Sequence, residues 1–166
     1  MVCLKPEFRP MTLVDIPAVL RVERASFTNP WTRQAFYNEL AYNQFAHYTV
    51  AEKEGHVIGY AGMWLILDEA HITNIAIHPD FRGSGAGEAL MEYLMEWARS
   101  SGAKSMTLEV RVSNRAAQNL YRKKGFESMG IRPRYYTDNQ EDALIMWTKL
   151  GGGSDEQEGQ YPRTGN

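Results

Sequence analysis

Glu109, Tyr121 and the run Arg82-x-x-Gly85-x-Gly87 are the residues best suited to chemistry in this chain of 166 residues. The glycine run follows an apolar stretch, Asn74 to Ile77, closed by His78-Pro79, and it precedes an amphipathic segment from Glu88 to Leu94. A strand, a turn and a helix in that order leave the first backbone N–H groups of the helix without intrahelical acceptors. Such a terminus carries partial positive charge and suits phosphate. No Lys-Ser/Thr follows the glycines, so the Walker pattern fails. Gly83, Gly85 and Gly87 are spaced by one, so the dinucleotide fingerprint fails too. A pyrophosphate site of another kind remains, and so does a plain turn.

Glu109 stands on the polar side of an otherwise apolar strand, Lys104 to Arg111. A carboxylate there costs several kcal/mol, on the order of a lost solvation shell, unless solvated or paired. Either it pairs with Arg111 or lies at an edge, or it serves as a general base, directly or through water. Asn114, Ala117 and Tyr121 share one face of the next helix. Either Asn114 caps and Tyr121 packs, or the two polar tips flank a groove floored by Ala117. From Arg111 to Arg134 the chain carries Arg111, Arg115, Arg122, Lys123, Lys124, Arg132 and Arg134 against Glu127 alone. A local positive field beside a phosphate site is the expectation. No aromatics interleave with these residues, which disfavours single-stranded nucleic acid. His47, His56, His71 and His78 are scattered without metal-ligand spacing, and no metal is expected.

The elements that must hold these residues follow from local signals. Phe8 to Met11 reads as a first strand. Thr12 and Asp15 form a capping box with Asp in place of Glu, and a helical period continues to Phe27. Thr32 caps a second helix, Arg33 to Tyr42. Strands at His47–Lys53, Val57–Leu67 and His71–Ile77 are joined by tight turns and predict an antiparallel meander covered on both faces. The helix after the glycines stops at Ser101-Gly102. Arg115 to Lys124 is a short helix stopped by Gly125. Phe126–Arg134 and Ala143–Lys149 are final strands around a polar loop, Tyr135 to Glu141.

One domain, residues 1–150, and a disordered tail, residues 151–166, are expected. Net charge is −2, and Asp155, Glu156 and Glu158 against Arg163 account for it, leaving the body formally neutral. No attraction to nucleic acid is implied. Cys3 is the single cysteine, which excludes an intrachain disulfide and fits a reducing compartment. Lys5, Glu7 and Arg9 interrupt any leader, and the apolar run Tyr60–Leu67 is too short to cross a bilayer. A soluble, cytoplasmic protein is expected, with no membrane partner.

Three motifs in order then resemble the GNAT superfamily of N-acetyltransferases. They are Asn74-Ile75-Ala76-Ile77-His78-Pro79 with Arg82-x-x-Gly85-x-Gly87, Leu108-Glu109-Val110-Arg111, and Asn114-x-x-Ala117-x-x-x-Tyr121-x-x-x-Gly125-Phe126. With Asn29-Pro30-Trp31, Arg134-Tyr135-Tyr136 and Glu141-Asp142-Ala143, the likeness extends to the ribosomal-protein-alanine N-acetyltransferase group. The resemblance implies an α/β (α+β) acyl-CoA N-acyltransferase fold: a mixed, mostly antiparallel sheet of about six to seven strands with about four helices. The sheet would splay between the third meander strand and Lys104–Arg111, and acetyl-CoA would lie in the cleft. The backbone of Ile75, Ala76 and Ile77 would hold the pantetheine and acetyl carbonyl. Arg82 and the backbone of Gly83, Ser84, Gly85, Ala86, Gly87 and Glu88 would hold the pyrophosphate. Asn114 would touch the CoA arm. Glu88 departs from the pattern, because close relatives often carry a basic residue there.

Glu109 is then the expected general base, Tyr121 the expected general acid, placed to give the leaving thiolate a proton or hydrogen bond, and Trp31, Tyr135 and Tyr136 the wall of the acceptor entrance. The acceptor implied is a protein N-terminus, the alanine of ribosomal protein S18, approached by a monomer or weak dimer. An α-amine titrates about 2.5 units below a Lys side chain, which makes it easier to deprotonate by about 3.4 kcal/mol. A transferase acting on Lys or small amines, and a non-catalytic acyl-CoA-binding module, are the competing readings. Glu109 and Tyr121 together argue against the module, and substrate discriminates the other two.

Overall fold

The structure, a computed structural model, describes residues 5–151. Cys3 and, beyond Gly151, the expected tail lie outside the described residues. Strand β1 (Glu7–Pro10) leads into a 3-10 turn, helix α1 (Ile16–Ser26) and helix α2 (Arg33–Tyr42). Strands β2 (Ala46–Lys53), β3 (His56–Ile66) and β4 (Glu69–Ile77) follow, then helix α3 (Ala86–Ser100). Strand β5 (Ser105–Arg111), helix α4 (Arg115–Lys123), and strands β6 (Glu127–Tyr136) and β7 (Glu141–Lys149) complete the chain.

Local chemistry accounts for these boundaries. The Thr12 N–H donates to Asp15 Oδ2 at 2.8 Å, so the shorter acid completes the capping box. Thr32 Oγ1 accepts the Ala35 N–H at 3.2 Å and starts α2 at Arg33 as expected. Gly85 at φ +86° and Gly125 at φ +98° occupy the left-handed region that frames α3 and ends α4. One expectation changes: the proposed loop Tyr135–Glu141 is shorter, because β6 runs through Tyr136 and β7 begins at Glu141. The Tyr136↔Glu141 pair closes that hairpin.

The seven strands form one sheet in the order β1-β2-β3-β4-β5-β7-β6. The meander is antiparallel as expected. Only β4 and β5 run parallel, and only from Glu69↔Ser105 to Ile72↔Leu108. Two cores cover the faces. The apolar side of α3 (Leu90, Met91, Leu94, Ala98) packs on one with Ile58, Met63 and Met106. Val19, Leu20 and Phe36 of α1 and α2 pack on the other with Val50 and Tyr60. Coverage on both faces explains why the meander strands lack polar alternation.

Opposite Gly62, strand β4 carries one extra residue: Gly62 pairs Asn74 while Met63 pairs Ile72, leaving Thr73 as a bulge. A Cβ on Gly62 would overlap the Asn74 amide oxygen and lie 2.5 Å from Tyr48 ring carbons. Gly62→Ala is therefore expected to destabilise the fold by about 1–3 kcal/mol through overpacking. A denaturant midpoint that falls with an unchanged slope checks it, and an unchanged midpoint contradicts it.

Candidate active site

The parallel seam ends at Ile72↔Leu108, and beyond it the strands part. From Asn74 to Ile77, β4 stays paired with β3, while β5 from Glu109 to Arg111 stays paired with β7. The bulge at Thr73 falls where the strands separate, and bulges bend and twist the strand that carries them. The cleft-side backbone groups of β4 beyond Ile72 therefore have no strand partner. A cleft of about 440 Å³ opens here, lined by Ile72 to Ile75 on one lip and Leu108 to Arg111 on the other.

Glu109 is the first residue of β5 past the seam and lines this cleft, and its side chain is 9% exposed. Its Oε2 lies 2.7 Å from His71 Nε2, and its Oε1 accepts from Arg132 Nε at 3.1 Å. Arg111, the partner weighed from sequence, instead binds Asp138 at 2.8 Å and Glu141 at 3.2 Å. Burial pushes the Glu109 carboxyl up, but the hydrogen bonds and charges of His71 and Arg132 outweigh it and hold the carboxyl below its usual range. The group is an ionised acceptor at neutral pH.

Tyr121 lines the same cleft from α4 and is 6% exposed. Burial pushes its hydroxyl up to about 12, so it is a phenol donor throughout the working range. Its ring packs on Phe126 at 5.9 Å between centroids. Asn114 also lines the cleft and caps α4, its Oδ1 accepting the Ala117 N–H at 3.1 Å. Asn114 thus caps α4 and stands in the lining of the cleft, which Ala117 does not join.

Trp31, Tyr135 and Tyr136 line the cleft as well. A roof spans them. Thr28 Oγ1 donates to Asp138 Oδ2 at 2.7 Å, and Asn29 Nδ2 donates to Thr137 Oγ1 at 3.2 Å. The α1–α2 loop thereby meets the β6–β7 turn over the cleft. Arg111 steadies that turn, because its guanidinium bonds Asp138 and Glu141 and stacks 4.0 Å above the Tyr136 ring.

The glycine turn lies past the far end of β4, outside this lining. Arg82 Nε donates to the Ile77 carbonyl at 2.9 Å and Ser84 Oγ donates to the Phe81 carbonyl at 2.7 Å, folding the turn back on the strand. Gly83 and Gly85 take positive φ there, +76° and +86°. The first helical bond of α3 runs from Ala89 N–H to the Gly85 carbonyl, so the N–H groups of Gly85 to Glu88 have no acceptor within the helix. A Cβ on Gly87 would touch Leu120 of α4 at 3.8 Å and Ile77 at 3.9 Å, so the turn abuts both β4 and α4. Ala76 and Ile77 bury their side chains in opposite cores, and the Ile77 carbonyl is already taken by Arg82 Nε. The structure thus gathers Ile75, Glu109, Asn114, Tyr121, Trp31, Tyr135 and Tyr136 at one cleft. It sets Ala76, Ile77 and Arg82 to Glu88 beyond its end.

The positive field expected between Arg111 and Arg134 is offset at Arg111, Lys123, Lys124 and Arg132. Lys124 bridges Glu88 at 2.9 Å and Glu92 at 2.5 Å, Lys123 pairs Glu88 at 3.0 Å, and Arg132 pairs Glu109. These acids lie on α3 and β5, far away in sequence, so counting charges along one segment misses them. Glu88, the departure in the glycine motif, is the anchor of that network. Among the described residues no three His, Cys, Asp or Glu side chains converge as a metal site, and no helix is long and apolar enough to cross a membrane.

Two residues that bear on the site were not singled out from sequence: His71, which bonds Glu109, and Glu23, which lines the cleft. His71 is invisible there because its partner is 38 residues away. Glu23 carried a readable signal: it falls four after Val19 and three after Leu20, on the buried face of α1.

A strand edge left open beside an ionised carboxylate, with helix N–H groups at its end, is the arrangement of an acyl transferase. The chain belongs to the Acetyltransferase (GNAT) family, whose match spans residues 16–126. A Bacillus subtilis protein is 51% identical over 146 residues, covering 88% of this chain and 97% of the relative; its name gives it, provisionally, the activity of a [ribosomal protein bS18]-alanine N-acetyltransferase. The [ribosomal protein bS18]-alanine N-acetyltransferase of Escherichia coli K12 is 38% identical over 136 residues, 80% of this chain and 89% of the relative. A crystal structure of the Escherichia coli ribosomal-protein-S18-alanine N-acetyltransferase superposes with a TM-score of 0.84 at 32% identity, covering 94% of this chain and 99% of that one. The seven-stranded mixed sheet and four α-helices are those of the GNAT fold.

Proposed function

We propose that this enzyme transfers the acetyl group of acetyl-CoA to the α-amine of a protein N-terminus, the N-terminal alanine of ribosomal protein S18. The observation that carries the reading is the parted sheet, which brings Glu109 of β5, Tyr121 of α4 and the open edge of β4 to one cleft. The activities in the names of the relatives supply the acceptor. A ribosomal-protein substrate puts the reaction in the cytoplasm.

In this reading the β4 backbone at Ile75 to Ile77 holds the pantetheine and the acetyl carbonyl. The N–H groups opening α3, Gly85 to Glu88, and the turn from Arg82 hold the pyrophosphate. Asn114 borders the arm. Glu109 takes the amine proton through water, and a backbone N–H of β4 stabilises the charge that develops on the carbonyl oxygen. The acetyl carbon exchanges its bond to sulfur for one to nitrogen, and the sulfur leaves as a thiolate facing the Tyr121 hydroxyl. Trp31, Tyr135 and Tyr136 flank the incoming chain.

Intact-mass analysis tests the acceptor. The protein and acetyl-CoA are incubated with an Ala-initiated peptide lacking Lys and with an N-blocked peptide containing Lys. Acetylation of the first is expected, and labelling of the blocked peptide alone overturns the proposal.

A further inference from the structure

Glu23 is 2% exposed, yet it lines the cleft. Its Oε1 accepts the Trp31 N–H at 3.0 Å, and its Oε2 accepts the hydroxyl of the fully buried Tyr60. The Tyr60 oxygen in turn accepts from Asn74 Nδ2 at 3.2 Å, so one phenol separates Glu23 from the open lip of β4. Among the described residues no Lys, Arg or His nitrogen stands within ion-pair distance of Glu23. Every other acid at the cleft has a cationic partner: Glu109 has Arg132, and Asp138 has Arg111. Burial raises the Glu23 carboxyl against the two hydrogen bonds that lower it, so a cation brought beside it would favour its charged form. Two neutral donors orient such a group, but only a cation balances it.

We propose that Glu23 is the receptor for the positive charge of the acceptor, holding the incoming α-ammonium beside Trp31 at the lip of β4. This deepens the proposed function and rests on it. An α-amine titrates near 7.7–8.0, so roughly nine in ten N-termini arrive charged at pH 7. A cleft that takes them from solution must accept the cation first. Glu23 then binds and Glu109 deprotonates: one carboxylate lacks a counter-ion and waits for one, while the other is already neutralised and has only to accept a proton. A contact made to the ammonium in the ground state appears in KM more than in kcat.

The test measures binding, so it does not depend on turnover. In the presence of CoA, which supplies no acetyl group, calorimetry compares an Ala-initiated peptide with its des-amino analogue on the wild type and on Glu23→Gln. Gln retains the shape of the side chain and an acceptor for the Trp31 N–H. The wild type is expected to prefer the amine peptide by about tenfold or more, the scale of a buried charge pair. Glu23→Gln is expected to abolish that preference with its melting temperature retained, to raise the peptide KM with acetyl-CoA, and to leave kcat within about threefold. An undiminished preference in Glu23→Gln overturns the inference while leaving α-amine acetylation standing. A wild type that neither prefers nor acetylates the amine peptide overturns the proposed function itself.

Discussion

Glu109→Gln is expected to lower kcat/KM by about a hundredfold near pH 7, the low end of what a positioned general base contributes. The loss should shrink as pH rises. The reason lies in which group limits the reaction. His71 and Arg132 hold the Glu109 carboxyl below its usual range despite its burial, so it stays ionised well into acid. The acceptor amine, near 7.7–8.0, is the group still protonated at neutral pH. Below that value every productive encounter needs a proton removed, and Gln accepts none. Above about pH 9 most amines arrive free and the base matters less. A pH–rate profile from about pH 6 to 9.5 checks this. An equal loss at every pH, or a wild-type rate, removes Glu109 from proton transfer. The same pairing bears on stability. A carboxyl depressed by its partners stabilises the fold above its unfolded titration range, and that contribution is lost as pH falls through its folded value.

The second large effect is on the leaving group. Tyr121→Phe is expected to lower kcat by about 10- to 100-fold, with the KM for acetyl-CoA within about twofold. With its hydroxyl pushed up to about 12, Tyr121 is a weak acid next to a thiol of about 8.5. Full transfer of its proton to the thiolate would run uphill by about 5 kcal/mol. Its contribution is therefore a hydrogen bond to charge as that charge appears, worth about 1.5–3 kcal/mol. The loss should not vary with pH below the phenol's own titration. The Phe ring still packs on Phe126, so the melting temperature should hold. Steady-state kinetics on both substrates decide it, and an unchanged kcat excludes the phenol.

Features coded over a few residues were legible in the sequence. Thr32 fixed the start of α2, Gly85 and Gly125 framed helices, and the tight turns of the meander implied antiparallel pairing. The candidate site was legible as a set of residue types, because a carboxylate on an apolar strand and a tyrosine on a helix face are local anomalies. Their partners were not. Glu109 meets His71 and Arg132, and Lys124 meets Glu88 and Glu92, only because strand order and helix packing bring distant segments together. Strand β7 slots between β5 and β6, an insertion that short-range periodicity cannot encode. Glu23 was legible as a carboxylate on the buried face of α1, but nothing local said that this face would look into a cleft.

The parallel seam of β4 and β5 closes only as far as Ile72↔Leu108. The sheet thus lacks a rung-bearer beside β4 from Thr73 to Ala76, the Ile77 carbonyl being held by Arg82. An extended amide-containing molecule lying there would act as a temporary strand and finish the hydrogen-bond ladder that the polypeptide leaves open. Occupancy of the site would then be part of the molecule's own architecture. Mass action makes it stabilising, by RT ln(1 + [L]/Kd) for a ligand that the unfolded chain does not bind. The resistance of this enzyme to unfolding would rise and fall with the supply of the compound it consumes.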